Sequence, residues 1–155
     1  MDLSDPGVVE PWLDNSLVGG APPSFAVLLV GLTAGDKGVL DFSLEEKRVH
    51  VAHVQKAIAL FAESARAVRD GGHLVVVAPP GESGEGQLLL AALRQTVRTF
   101  LAEQHFLPSR KVLRVSLLAA PAPGAERELE REVVAILSGA EAPRVEPVPV
   151  GHVRP

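Results

Sequence analysis

Between Val75 and Leu93 the chain reads VVVAPPGESGEGQLLLAAL: an apolar strand-like run, a loop with three glycines, and the start of an apolar helix. Two chemistries could use such a connection. Gly81 and Gly86 have the separation of the glycines in a phosphate loop, where backbone N–H groups at a helix start cradle an anion. That motif next requires a Lys and a hydroxyl residue, but Gln87 and Leu88 stand there, and Glu82 and Glu85 would face a polyphosphate with like charge. The same loop, as GESGE, comes within one residue of G-x-S-x-G, which would make Ser83 a nucleophile on a strand-to-helix turn. Glu85 occupies the position where that turn needs a small residue, and no histidine, His105 and His152 included, has a spacing that recommends it as the base. His50 and His53, three apart, could chelate a metal ion from one helix, yet the sequence places no third ligand beside them, and surface or interface histidines are the default reading. The charges from Glu126 to Glu132 alternate with Arg, as a solvated helix face does.

The elements that must position these residues follow from periodicity. Residues 1–24 are rich in Pro, Gly, Asp and Ser, with one amphipathic scrap, VVEPWL, around Trp12, and read as an irregular arm. Residues 25–155 read as a single domain. Phe25 to Gly31 (FAVLLVG) is an unbroken apolar run, expected of a strand buried on both faces of a parallel sheet. Ser43 and Glu46 have capping-box spacing and start a helix that is predicted to run to about Asp70, where Gly71 and Gly72 supply a left-handed stop. Along it Val51, Val54, Ile58, Phe61, Ala65 and Val68 form one stripe, and Val49, Ala52, Ala57, Leu60, Ser64 and Ala67 a second. Two stripes imply two covered surfaces, either a second subunit or a broad face wrapped by the same domain. His73 to Ala78 is a second strand, Gln87 to about His105 a second helix, Lys111 to Ala119 a third strand, and Ala125 to Ser138 a third helix. Val145 to Val150 (VEPVPV) is a short last strand whose prolines confine it to an edge. The alternation specifies an α/β fold. A parallel sheet of about four strands with three main helices is expected.

Composition removes several functions. A formal charge of −4 offers no cationic stripe for nucleic acid. No cysteine means no disulfide, thiolate metal site or Cys nucleophile. The acidic N-terminus lacks a signal-peptide core, and no apolar run approaches the ~20 residues of a membrane span, so a cytoplasmic protein is expected.

Taken in order, the segments from Phe25 onward resemble the C-terminal half of the short-chain dehydrogenase/reductase family, over roughly four-fifths of the chain. FAVLLVGLTAG looks like the strand that ends in DxLVNNAG, and SLEEKRVHVAHVQKAIALFAESARAVRDGGHLVVVA like the long helix followed by the GxIVxxSS strand. QLLLAALRQTVRTFLAEQ is similar to the YxxxKxAxxxLxxxLAxE helix, KVLRVSLLAAPAPG to IRVNxVxPG, and REVVAILSG with VEPVPVG to the closing EVAxxxxFLxS and GQxxxVDGG segments. The resemblance implies a truncated Rossmann-like fold.

Where the family carries its chemistry, this chain departs from it. The TGxxxGxG turn that binds the dinucleotide lies in the half that residues 1–24 are too few to supply. The alignment puts Gln87 at the family's Tyr, Ala91 at its Lys, Ala78 or Pro79 at its Ser, and His53 near its helix Asn. There is no tyrosine in the sequence, and Asn15 is the only asparagine. An amide and a methyl group cannot relay the proton. The family's dimer contact is a bundle of the two long helices, which places Val51, Val54, Ile58, Phe61 and Ala65 of the first and Leu89, Leu93, Val97 and Phe100 of the second at an interface. The expectation is a non-catalytic subunit, a homodimer or a hetero-oligomer with a full-length short-chain reductase, with no cofactor, metal, nucleic acid or membrane. The alternative is a small hydrolase or acyl-binding module that uses the loop around Ser83.

Overall fold

The computed structural model describes residues 21–31, 37–81, 83–107, 111–120, 124–139 and 143. Three strands, β1 (Phe25–Leu29), β2 (His73–Ala78) and β3 (Arg114–Ala119), form a parallel sheet in the order β1-β2-β3. They alternate with α1 (Leu44–Ala67), α2 (Gly84–Phe106) and α3 (Glu126–Leu137), and a 3-10 turn at Val39–Asp41 precedes α1. The chain is therefore an α/β protein with a truncated Rossmann-like sheet. The segment Val145–Val150, expected as a fourth strand, lies outside the described residues, as do residues 1–20 of the expected arm.

Helix α1 begins as its sequence dictates. The Ser43 hydroxyl accepts from the Glu46 amide at 3.1 Å, and the Glu46 carboxylate accepts from the Ser43 amide at 2.7 Å, so each satisfies an orphan donor of the first turn. The Lys37 ammonium pairs with the same carboxylate, and this bond, ahead of the Ser43 bonds, holds the Glu46 carboxyl down at about 2. The helix stops at Ala67, three residues short of the expected Asp70, because Val68 already has extended backbone angles. Gly71, at φ 78°, turns the chain beyond that stop.

That turn is closed from a distance. The Lys111 ammonium donates to the Arg66 and Val68 carbonyls, Val112 N–H donates to the Asp70 carboxylate, and Gly71 N–H to the Val112 carbonyl. Lys111 to Leu113, expected to open the third strand, are used here instead. Regular pairing in β3 starts only at Arg114.

Register divides the sheet into two faces. Toward α1 and α2 point Ala26 and Leu28 of β1, Leu74, Val76 and Ala78 of β2, and Val115 and Leu117 of β3, which pack with Leu60, Phe61, Leu89, Leu93 and Val97. Toward α3 point Val75, Val77 and Leu118, which pack with Ile136. On this second face β1 departs from expectation. Phe25, Val27 and Leu29 are exposed, so the strand is buried on one face only. The reason is coverage, since the apolar cluster around α3 draws on β2 and β3 and includes no β1 residue.

Candidate functional site

Parallel sheets bind ligands beyond the carboxyl ends of their strands, which here are Gly31 after β1 and the Pro79–Ser83 connection after β2. The second connection is the loop that carried the competing chemistries, and its serine is already engaged. Ser83 is the N-cap of α2, which begins at Gly84, three residues earlier than the apolar pattern predicts. Its hydroxyl is buried and accepts from Gly86 N–H at 3.0 Å. A nucleophile elbow holds its serine exposed on a strained turn. Ser83 instead has ordinary extended angles, φ −100° and ψ 163°.

A phosphate cradle fares no better. Gly84 N–H donates to the Lys37 carbonyl and Gly86 N–H to Ser83, so two amides of the helix start are spent within the protein. The glycines serve close approach. A β-carbon at Gly86 would lie 2.1 Å from the Pro80 carbonyl oxygen, and one at Gly84 2.8 Å from the Val39 nitrogen. Here the Lys37–Val39 segment lies directly on the start of α2.

Beneath that segment sits a pair that the sequence reading did not foresee. Glu85 is fully buried, and His50, 8% exposed, places Nδ1 3.9 Å from a Glu85 carboxylate oxygen, with the Phe42 ring 5.9 Å from the imidazole. At 3.9 Å the two atoms are too far apart for a hydrogen bond. No periodicity links residues 35 apart. The signal was Glu85 itself, a carboxylate at the head of the buried i, i+4 series Glu85, Leu89, Leu93 and Val97.

The other predicted positions fall as follows. His53, one turn beyond His50, bonds through Nε2 to the Gly31 carbonyl at 2.7 Å, so the two histidines meet different partners and do not converge on one ion. Among the described residues no cluster of three His, Asp or Glu side chains can hold a metal. Ala78 and Pro79 are buried, Ala91 is exposed, and the Gln87 amide donates to the Gly81 carbonyl at 2.9 Å. None of these can exchange a proton at neutral pH.

At the opposite end of the sheet His73 Nε2 lies 2.9 Å from Ser116 Oγ. That spacing suits a base and its nucleophile, but His73 is 3% and Ser116 0% exposed, so no substrate reaches them. Burial, reinforced by the Arg114 charge, lowers the His73 pKa. The pair is a neutral bridge between β2 and β3.

The residues expected at an interface divide into two groups. Leu89, Leu93 and Val97 have no exposed surface and pack against the sheet, so they are core. This corrects their assignment: Leu89, Leu93 and Val97 follow one another at i, i+4 along the side of α2 that faces the sheet. Phe61 and Ala65 are buried in the same cluster, and with exposed Ile58 and half-buried Phe100 they floor a groove of about 760 Å³ between α1 and α2. Phe61 and Phe100 meet edge to face at 5.5 Å. Val51 is exposed and Val54 half-buried nearer the start of α1. Arg66, Lys111 and Glu103 close the groove's far end.

No protein-family model matches the chain, and no curated protein sequence matches it. Among the described residues no helix is long and apolar enough to cross a membrane.

Proposed function

We propose that the chain is a non-catalytic subunit of short-chain dehydrogenase/reductase type, cytoplasmic, which binds a second copy of itself or a full-length reductase through α1 and α2. The observation that carries this reading is the groove between those helices, floored by buried Phe61 and Ala65, with half-buried Phe100 beside them and exposed Ile58 at its rim. An apolar groove between two helices can take the apolar face of a partner helix. The ligand end of the sheet is consistent with it, because Gln87, Ala91, Ala78 and Pro79 offer no group for proton relay.

Ile58 is 39% exposed, so Ile58→Asp can burden the interface without emptying the core. Sedimentation at micromolar concentration is expected to give a dimer, or a complex with a co-purifying reductase, and the Ile58→Asp chain is expected to run as a monomer. A wild-type monomer without any partner overturns the proposal. Calorimetry is expected to detect no NADH or NADPH binding by the chain alone, and micromolar affinity would contradict it.

A further inference from the structure

Phe25, Val27 and Leu29 are 54%, 37% and 59% exposed. Their register partners on β2 include Val75 and Val77, buried in the cluster around Ile136 of α3. One apolar sheet face is thus covered on one side and bare on the other. Parallel sheets bury both faces, so the bare part calls for an occupant.

We propose that the occupant is the chain's own segment before Ala21, docked through Val8, Val9, Trp12 and Leu13. Its point of entry favours it over a separate molecule. The lead-in to β1 is fixed at the foot of the bare face, with Pro23 O accepting from Arg69 N–H at 2.9 Å and Ser24 O accepting from His73 N–H at 3.0 Å. The preceding chain therefore starts its course beside Phe25. Leu13 lies twelve residues before Phe25, a reach of up to ~40 Å at ~3.3 Å per residue, while the five residues of β1 span only ~16 Å. A tether this short gives the segment a local concentration on the order of millimolar, which a separate molecule does not have. The segment also carries the chain's only tryptophan, an indole with a large surface to remove from water. This face lies on the opposite side of the sheet from the α1–α2 groove, so the docking does not depend on the proposed subunit role.

Because Trp12 is the only indole, its emission reports the contact directly. The intact chain is expected to show emission blue-shifted from its urea-unfolded form, unchanged over about a hundredfold dilution, as an intramolecular contact requires. The double substitution Val27→Lys with Leu29→Lys, at exposed positions, is expected to move the emission to the unfolded wavelength and to raise acrylamide quenching severalfold, with the far-ultraviolet circular dichroism retained. Should that variant fail to fold, Phe25→Gln read in the same way replaces it. Three results overturn the proposal: a wild-type indole already as hydrated as in urea, a blue shift that the β1 substitutions leave intact, or a blue shift lost on dilution, which would assign the face to a second copy. Loss of the shift on deleting residues 140–155 would assign Trp12 to the C-terminal segment and overturn it as well.

Discussion

On the α1–α2 side of the sheet all three strands contribute buried side chains, from Leu28 through Val76 to Leu117, and two long helices lie over them. On the α3 side β1 contributes nothing buried, and a polar bridge between His73 and Ser116 sits among the aliphatics. The first face is complete within the chain. The second is finished only where α3 reaches, and the contrast separates what folding needs from what is left for contact with another segment.

The sharpest way to break this comparison is to empty the complete face. Leu93→Ala removes a side chain with no exposed surface and is expected to cost about 3.5 kcal/mol, the middle of the range for buried leucines, read from the midpoint of urea unfolding. A loss below about 1 kcal/mol would mean that this core is loosely packed. Next comes the cap that joins the faces at the ligand end: Ser83→Ala should cost about 1 kcal/mol, since Gly86 N–H loses its acceptor. An effect near zero there would reopen the question of a free hydroxyl.

A subtler contrast depends on pH. Burial lowers the folded-state pKa of His73 from 6.5, so below 6.5 the unfolded chain takes up the proton first. Its contribution to stability is present above pH 6.5 and is lost as the pH falls below that value. Glu46, held at about 2 against 4.5 when free, gives a separate loss that begins near pH 4.5 and ends near 2. Denaturation across pH 4.5–7 should show the first slope, and His73→Gln should flatten it; a slope that survives the substitution belongs to another histidine. The smallest effect is expected on the outer surface of α3, where Val134, 58% exposed, should tolerate Thr within about 0.5 kcal/mol by the same unfolding measurement.

Local signals were legible in the residues that made them. Ser43 and Glu46 marked the start of α1, and the apolar run HLVVVA marked the strand β2. Long-range compensation was not legible. Ser83 was placed before the helix because the apolar pattern of α2 begins only at Leu88, whereas its hydroxyl caps a helix that starts at Gly84. FAVLLVG looked doubly buried because composition reports how apolar a strand is, while coverage depends on which helix lies above it. The His50–Glu85 contact joins two helices through space, so the α2 pattern could mark Glu85 as buried but could not name its partner.

The Lys111 ammonium on the last carbonyls of α1 reaches back 43 residues, and this has a consequence for the newborn chain. At a synthesis rate of 5–20 residues per second, Lys111 is added roughly 2–9 s after Val68. Until then the end of α1 lacks the Lys111 donor, Asp70 lacks the Val112 N–H and Gly71 N–H lacks the Val112 carbonyl. During synthesis, therefore, the seam at the end of α1 can close only after Lys111 and Val112, the residues leading into β3, have been added.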